Sequence, residues 1–242
     1  NGFTSNTDWH TNGYTYASWA WKESATAGFD IVSYTGNGSA RTISHSLGAV
    51  PEMMIVKRRD GADNWMVYHK GNGNTHYQEL NSNAAKTDNT IWNDTTPTSS
   101  VFSLGTDASV NANSGTYIAY LFTGVEGYSK FGTYIAVGGS GSTPNNDGVF
   151  VYTGFKPAFI LTKRSDSTSD WVIKDSVRSP HNSRLEMLFP NTTGAELNSE
   201  AIDFLSNGFK CRSASGYFDY PSGADFIYLA FAEHPLKNSN AA

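Results

Sequence analysis

Residue types that often perform catalysis occur along this chain, but not at the spacings that catalytic or metal sites use. The six histidines are spread from His10 to His234, and no two of them form a zinc-binding pair on one element. Neither the Gly-x-Ser-x-Gly sequence of a nucleophile elbow nor a phosphate-binding loop is present. A glycosidase pair would have to be assembled from distant strands. The glutamates available for it include Glu52, Glu79, Glu126 and Glu186. We therefore predict that the protein is not an enzyme.

Acidic residues recur beside a turn in two places, where their oxygens would suit calcium. Asp60 and Asp63 enclose a Gly-Ala pair, and Asp166 and Asp170 enclose a Ser-Thr-Ser run. Ca²⁺ prefers several hard oxygen ligands together, so all four aspartates are candidate calcium ligands. The alternative, which we favour, is that they cap the turns through hydrogen bonds. We predict no other metal and no cofactor.

Basic residues lie directly before these turns, at Lys57-Arg58-Arg59 and at Lys163-Arg164. Such groups could contact an acidic glycan or a lipid headgroup. We favour a structural role, in which the strand ends are solvated and one arginine of each group pairs with the nearby aspartate.

Aromatic residues in polar loops are the candidates for ligand binding. They are Trp9, Tyr77, Trp92, Tyr217 and Tyr220. Rings flanked by Asn, Asp and Arg suit glycans, because the C–H faces of a sugar stack on the ring while its hydroxyls form hydrogen bonds. The competing interpretation is that each ring only pins its loop to a sheet. By contrast, we expect Trp65 and Trp171 to be core anchors, because they occupy equivalent places in an internal repeat.

The repeat relates residues 48–70 to residues 154–176, which align without a gap at an offset of 106 residues (154 minus 48). Six positions are identical in this alignment. They are Gly48, Pro51, Lys57, Arg58, Asp60 and Trp65, which fall on Gly154, Pro157, Lys163, Arg164, Asp166 and Trp171. Matching apolar runs lie between the identities, so we predict a tandem duplication.

Each copy of the repeat contains a predicted hairpin. The runs Met53–Val56 and Phe159–Thr162 have the length and composition of buried strands. A polar turn follows each run, and the chain returns through Trp65–Tyr68 or Trp171–Ile173. These hairpins are expected to form the centre of each copy.

Many short strands and no long amphipathic helix predict an all-β fold of tandem duplicated β-sandwich units, jelly-roll or lectin-like, with long loops. Residues 29–128 are expected to form the first sandwich and residues 129–242 the second. In the second, Phe131–Tyr134 would take the role of Phe29–Val32. Residues 1–28 are interpreted either as the closing hairpin of a preceding repeat or as part of the first sheet.

Composition narrows the classes of partner. Charged residues make up 16% of the chain and the net charge is −5, which disfavours nucleic acid because that partner needs a basic face. Cys211 is the single cysteine, so an internal disulfide is excluded. No apolar run is long enough to suggest a transmembrane helix, and we expect no membrane insertion.

Several segments of the sequence resemble segments that are common in structural proteins of bacteriophages, particularly marine ones. They are Phe29–Gly38, Val101–Gly105, Val125–Gly132, Leu205–Lys210 and Ala230–Pro235. Over nearly its whole length the chain resembles the C-terminal repeat region of a phage tail-fibre or virion-surface protein. The resemblance implies a place on the virion surface and assembly as a homo-oligomer, a trimer in many such fibres, and it implies no catalytic motif.

We therefore expect a non-catalytic virion structural protein, with a tail-fibre receptor-binding module for a host cell-surface glycan as the leading hypothesis. Its expected partners are that glycan and other virion proteins. The first alternative is a capsid decoration or fibre-building protein, which needs only partner edges and symmetric contacts. The second is a polysaccharide depolymerase, which needs two carboxylates close together in a groove.

Overall fold

Short apolar runs separated by Gly, Asn and Asp turns form β-strands throughout the computed structural model, which describes residues 13, 15–140, 143–144 and 146–234. The predicted residue Trp9 lies outside this described part. The strands of the first half are β1 (Phe29–Thr35), β2 (Arg41–Ser44), β3 (Met53–Arg58), β4 (Met66–His69), β5 (His76–Glu79), β6 (Thr87–Asp88), β7 (Val101–Leu104) and β8 (Thr116–Phe122).

The second half is also built from short strands. Its strands are β9 (Ser129–Ile135), β10 (Gly139–Ser140), β11 (Thr143–Pro144), β12 (Phe150–Tyr152), β13 (Pro157–Arg164), β14 (Val172–Asp175), β15 (Arg184–Met187), β16 (Leu197–Leu205), β17 (Gly208–Cys211) and β18 (Asp225–Ala232). Helix α1 (Ala108–Asn111) is short, and 3-10 helices occupy Ala25–Ala27 and Thr90–Trp92. Across the described residues, no helix is long and apolar enough to span a membrane.

The first sandwich, built from β1 to β8, packs a six-stranded antiparallel sheet of order β1-β8-β3-β4-β5-β6 against the pair β2-β7. Apolar side chains from both sheets fill the space between them. They include Met54, Val56, Phe102, Leu104 and Leu121. Alternation along β3 directs every second residue into this core.

The second sandwich, built from β9 to β18, packs the sheet β14-β13-β18-β9 against the sheet β12-β17-β16-β15. Its core includes Ile160, Val172, Phe204, Phe209 and Phe226. The two sandwiches together confirm the predicted all-β, sandwich-type fold.

The central strands of the two sandwiches have the same order and register. The order β1-β8-β3-β4 of the first matches β9-β18-β13-β14 of the second. Ile55 pairs with Val67, and Leu161 pairs with Ile173, so both partners are displaced by the same 106 residues seen in the sequence. A tandem duplication accounts for this likeness, and the duplication itself stays a prediction.

Local hydrogen bonds repeat in the same way. The backbone N–H of Trp65 donates to Asn81 Oδ1 at 2.9 Å, and that of Trp171 donates to Asn191 Oδ1 at 3.0 Å. Each asparagine thereby holds the start of the returning strand of its hairpin.

A third apolar layer joins the sandwiches back to back. Met53 and Phe159 belong to this layer, whereas their neighbours Met54 and Ile160 point into the separate cores. Strands β3 and β13 are therefore buried on both faces, which explains why they read as continuous apolar runs. Across the layer the indole N–H of Trp171 donates to the Glu79 carbonyl at 2.8 Å.

Residues 15–23 form no strand, so over this stretch the chain is neither a hairpin nor part of the first sheet. Trp19 and Trp21 instead pack at the rim of the layer between the sandwiches, with ring centroids 5.6 and 5.8 Å from that of Phe159. Packing these two partly buried indoles against the apolar rim holds a segment that, among the described residues, has no strand pairing.

Candidate functional site

A polar pocket of about 320 Å³ opens beside Tyr77 in the first sandwich. It lies where the β3–β4 turn, strand β5 and the start of α1 meet. Its lining residues are Ala62, Asp63, Asn64, Met66, Tyr77, Glu79, Asp107 and Ser109. One aromatic ring surrounded by carboxylate, amide and hydroxyl groups is the composition that a sugar-binding pocket needs.

Strand β5 positions the ring and one carboxylate. Tyr77 and Glu79 are two residues apart on the strand, so both side chains point to one face. Tyr77 packs against the core of the first sandwich and is paired with Thr87 of β6. Partial burial raises the pKa of the Tyr77 hydroxyl, and the nearby negative charge of Glu79 raises it further.

The other two carboxylates of the pocket are held by the protein. Asp107 caps α1, because its Oδ1 accepts from the Ser109 N–H at 2.8 Å and from the Ser109 hydroxyl at 2.6 Å. Asp63 Oδ2 accepts from the Arg58 guanidinium at 3.2 Å. Within the described residues, no side-chain hydrogen bond or ion pair engages the Glu79 carboxylate. Glu79 is therefore the acid of this pocket that can turn to a ligand.

The corresponding place in the second sandwich is closed. The β4–β5 pairing of the first sandwich corresponds to an isolated bridge at Leu188 in the second. Met187 then stands at the position of Tyr77, and Phe189 at the position of Glu79. Met187 is buried and Phe189 packs on the second core, so apolar side chains occupy the site that is polar and open in the first sandwich.

The prediction of Trp92 as a ligand-binding residue is wrong. Its side chain is 0% exposed, its indole N–H donates to the His76 carbonyl at 3.1 Å, and its ring packs edge-on against Tyr68. The 3-10 helix at Thr90–Trp92 turns the ring inward, so Trp92 pins its loop to the sheet.

Tyr217 and Tyr220 both lie in the second sandwich, and neither lines the Tyr77 pocket. The ring of Tyr217 lies 5.3 Å from that of Phe189 and packs against the second core. Tyr220 is partly buried and directly precedes Pro221. The structure therefore brings Tyr77 together with polar partners but does not assemble the four predicted aromatics that it describes into one site.

One arginine of each basic group pairs with the nearby aspartate, as predicted. The expectation of solvated strand ends is wrong for Lys163, which is 0% exposed and donates to the Arg164 carbonyl at 2.7 Å. Arg58 Nε donates to Asp60 Oδ1 at 2.8 Å, and Arg164 Nε donates to Asp166 Oδ1 at 2.7 Å. These bonds lower the pKa of both carboxyl groups.

The same pairing occupies most of the candidate calcium ligands. Asp60, Asp63 and Asp166 accept from arginines, and Asp170 Oδ1 accepts from Asn191 Nδ2 at 2.7 Å. Over the described part of the chain, no three acidic, histidine or cysteine side chains are grouped as metal ligands. The geometry therefore favours the interpretation of these aspartates as turn residues.

A second cavity, of about 370 Å³, lies where the two sandwiches join. Both of its lysines are engaged by the protein. Lys70 Nζ donates to Glu52 Oε1 at 2.7 Å, and Lys130 Nζ donates to the Tyr152 carbonyl at 2.9 Å while lying 4.9 Å from that ring. These contacts fasten the junction and leave the Tyr77 pocket as the better candidate site.

Sequence reasoning identified Tyr77 but missed Asn64, Asp107 and Ser109. A signal for one part was available, because Asp107-Ala-Ser109 has the pattern of a helix cap. The proximity of this cap to Tyr77 depends on contacts between distant segments, which a single sequence does not reveal.

Comparison with known proteins identifies a family for the chain but no similar curated protein or solved structure. No curated protein and no solved structure matches it. A family model matches residues 1–235, which is nearly the whole chain. The chain therefore belongs to the DUF7483 family, which is described as a domain of unknown function.

Proposed function

We propose that the protein is a non-catalytic module of a bacteriophage virion surface, at the end of a tail fibre, that binds a glycan of the host cell. The Tyr77 pocket is the observation that carries the glycan part of this proposal. The sequence segments shared with phage structural proteins support the virion part.

The pocket suits a sugar for three chemical reasons. The Tyr77 ring offers an apolar face to sugar C–H groups. Glu79 can accept hydrogen bonds from sugar hydroxyls, and Asn64 can both donate and accept. The Ser109 hydroxyl, which donates its hydrogen to Asp107, can accept. The surrounding sheet and cap hold these groups in place before a ligand arrives, which lowers the entropy cost of binding.

Binding without hydrolysis is proposed because the pocket offers no free pair of carboxylates among its described residues. Hydrolysis of a glycoside requires two acids that flank the bond, one of them protonated. Asp63 is engaged by Arg58 and Asp107 by the start of α1. A depolymerase would need those two side chains to exchange structural roles for catalytic ones.

Assembly as a homo-oligomer belongs to the same proposal. A trimer would present three Tyr77 pockets on one fibre end, and several weak sites on one particle bind a cell surface far more tightly than one site alone. Light scattering on the purified chain measures the assembly directly.

The test compares Tyr77→Ala with the parent protein on a glycan array and on host cells. We expect loss of a single stacking platform to reduce glycan affinity by about tenfold or more. Tyr16→Ala is the matched control, because Tyr16 is an exposed tyrosine that does not line the pocket.

Two outcomes would contradict the proposal. Binding to purified capsids together with no binding to host surfaces or glycans would favour a capsid decoration or fibre-building protein. Release of reducing ends from a bound polysaccharide would identify a depolymerase instead.

A further inference from the structure

Trp65 differs from its counterpart Trp171, although both were expected to be core anchors. Trp171 is 1% exposed and its indole N–H is bonded to the Glu79 carbonyl, so it is a core anchor. Trp65 is partly exposed, and among the described residues its indole N–H makes no hydrogen bond. One face of its ring stacks on Tyr120, with planes 16° apart. The indole N–H of Trp65 is thus available to a ligand, and the stacking on Tyr120 fixes the orientation of the ring.

A cavity of about 230 Å³ lies beside the Trp65 ring. It is lined by Trp65, Leu80 and Asn81 of the first sandwich and by Pro190 of the second. Apolar walls with one amide match the needs of a sugar ring, whose hydroxyl groups bond to the amide while its C–H face packs on the indole.

This cavity and the Tyr77 pocket lie on opposite faces of the two-stranded ribbon formed by β4 and β5. Met66 pairs with Glu79 on the face of the Tyr77 pocket. The next pair is Trp65 with Leu80, joined by a 2.9 Å backbone bond, and successive residues of a strand point to opposite faces. Both cavities therefore border the end of the β4–β5 ribbon.

Two amides connect the cavities around that end. Asn81 Nδ2 donates to Asn64 Oδ1 at 2.9 Å. Asn64 lines the Tyr77 pocket, and Asn81 lines the cavity beside Trp65. A continuous strip thus crosses the end of the β4–β5 ribbon. It consists of Tyr77, Asn64, Asn81 and Trp65, in that order.

We propose that the glycan site extends along this strip, with Trp65 as a second stacking platform, so that it accommodates an oligosaccharide of two or more residues. The inference rests on the proposed function, because it extends the same site. Asn64 and Asn81 contact the sugars that pass over the ribbon end.

The charges of the strip select the class of sugar. Three carboxylates line the Tyr77 pocket, and no lysine or arginine of the described chain lines either cavity. An acidic sugar would meet a net negative charge, because Asp63 is the only one of these three carboxylates for which the described residues show an ion pair, with Arg58. The site therefore takes neutral or amino sugars and rejects uronic acids.

Isothermal titration with sugars of increasing length tests the inference. The probes are N-acetylglucosamine and maltose oligomers of one to six residues, with oligogalacturonates as the acidic series. We expect neutral tetramers to bind at least about tenfold more tightly than monomers, which is the effect of one further stacking contact. Oligogalacturonates should not bind.

Variants separate the two stacking platforms. Trp65→Ala should abolish the gain with chain length and leave monosaccharide affinity unchanged, whereas Tyr77→Ala should weaken both. Trp65→Phe, which keeps a ring and loses the N–H, should fall between the parent and Trp65→Ala. Circular dichroism confirms that each variant folds, and Tyr16→Ala again serves as the control.

The results distinguish failure of this inference from failure of the proposed function. If Tyr77→Ala weakens binding but Trp65→Ala leaves the dependence on chain length intact, the extension is wrong and the pocket stands. If no neutral oligomer binds, or if Tyr77→Ala binds as the parent does, the proposed function is wrong and the extension with it. Binding of oligogalacturonates would overturn the assignment to neutral sugars.

Discussion

Asn111 is a fully buried amide that joins three segments of the first sandwich. Its Nδ2 donates to the carbonyls of Ser39 and Gly105 at 2.7 and 2.8 Å, and its Oδ1 accepts from the Asn37 N–H at 3.0 Å. Every polar atom of this side chain thus has a partner of the right polarity, as burial requires.

Asp219 stands at the corresponding place in the second sandwich and is also 0% exposed. Both residues end a helical turn in which their own N–H bonds to the carbonyl four residues earlier, at 2.8 Å in each case. The partners of Asp219 differ in polarity. Its two oxygens accept from the N–H groups of Val137 and Val149 at 2.7 and 2.9 Å. One anchoring position therefore carries a donor-acceptor amide in one sandwich and an acceptor-only carboxylate in the other.

This difference predicts that exchanging the two residue types harms both sandwiches. Asn111→Asp would place a carboxylate against two carbonyl oxygens, and Asp219→Asn would place an NH₂ group against a backbone N–H. Each change should lower the free energy of unfolding by about 1–3 kcal/mol, the cost of a buried polar group without a partner. Urea unfolding measures it, with the exposed Asn113→Asp as the control. Losses no larger than that of the control would refute the assigned hydrogen-bond polarity.

At the scale of elements, β15 and β16 are held together by a buried lysine. Lys174 of β14 is 0% exposed, and its Nζ lies within hydrogen-bond distance of four backbone carbonyls, which share its three N–H donors. These carbonyls belong to Arg184 and Leu185 at 3.1 and 2.9 Å, and to Ser199 and Glu200 at 3.0 and 2.6 Å. Burial lowers the pKa of the ammonium group to about 7. Carbonyl oxygens replace the water that burial removes from the charge.

Lys174→Met keeps the apolar stem and removes the donor. Because the carbonyls of both strands then lack their shared partner, we expect the free energy of unfolding to fall by about 2–4 kcal/mol. Hydrogen exchange should rise first in the amides of β15 and β16. Lys22→Met, at an exposed position, is the control. Uniformly faster exchange across both sandwiches would contradict a local clamp.

The elements also show how far the sequence predicts the fold. The hairpins at β3–β4 and β13–β14 were predictable because strands buried on both faces read as apolar runs. The predicted correspondence of Phe131–Tyr134 in β9 to Phe29–Val32 in β1 differs by two residues from the one in the structure. Tyr34 pairs with Tyr117 and Tyr134 pairs with Phe226, so Tyr134 corresponds to Tyr34. A shift of two keeps each side chain on its face, so the alternation pattern does not detect it.

The candidate site was predictable only in part, for a related reason. Tyr77 stands out as an aromatic in a polar segment, but Trp92 has the same appearance and is buried. The difference depends on a 3-10 helix that turns Trp92 inward and on Thr87, which pairs with Tyr77. Loop composition indicates polarity, whereas the direction of a side chain depends on local geometry and distant contacts.

At the scale of the whole molecule, the apolar layer between the sandwiches couples their stability. His69 lies between the two sandwiches and is 1% exposed. Its Nδ1 accepts from the Gly71 N–H at 3.1 Å. The proton is therefore on Nε2, which donates to the Tyr228 carbonyl of the other sandwich at 3.2 Å. Protonation of Nδ1 would remove the acceptor for the Gly71 N–H and place a buried charge between the sandwiches, whereas Nε2 could still donate to the Tyr228 carbonyl.

Burial lowers the pKa of His69 to about 4, against about 6.5 in an unfolded chain. Between these values the unfolded chain binds more protons than the folded one, so stability falls as the pH falls from about 6.5 to 4. His69 should account for about 3 kcal/mol of that acid-induced loss. His69→Gln removes the titration, so the variant should lose correspondingly less stability over the same pH range. Urea unfolding at several pH values measures the difference, with the exposed His181→Gln as the matched control. Equal pH dependence in His69→Gln and the parent would show that protonation of this imidazole does not destabilise the folded protein.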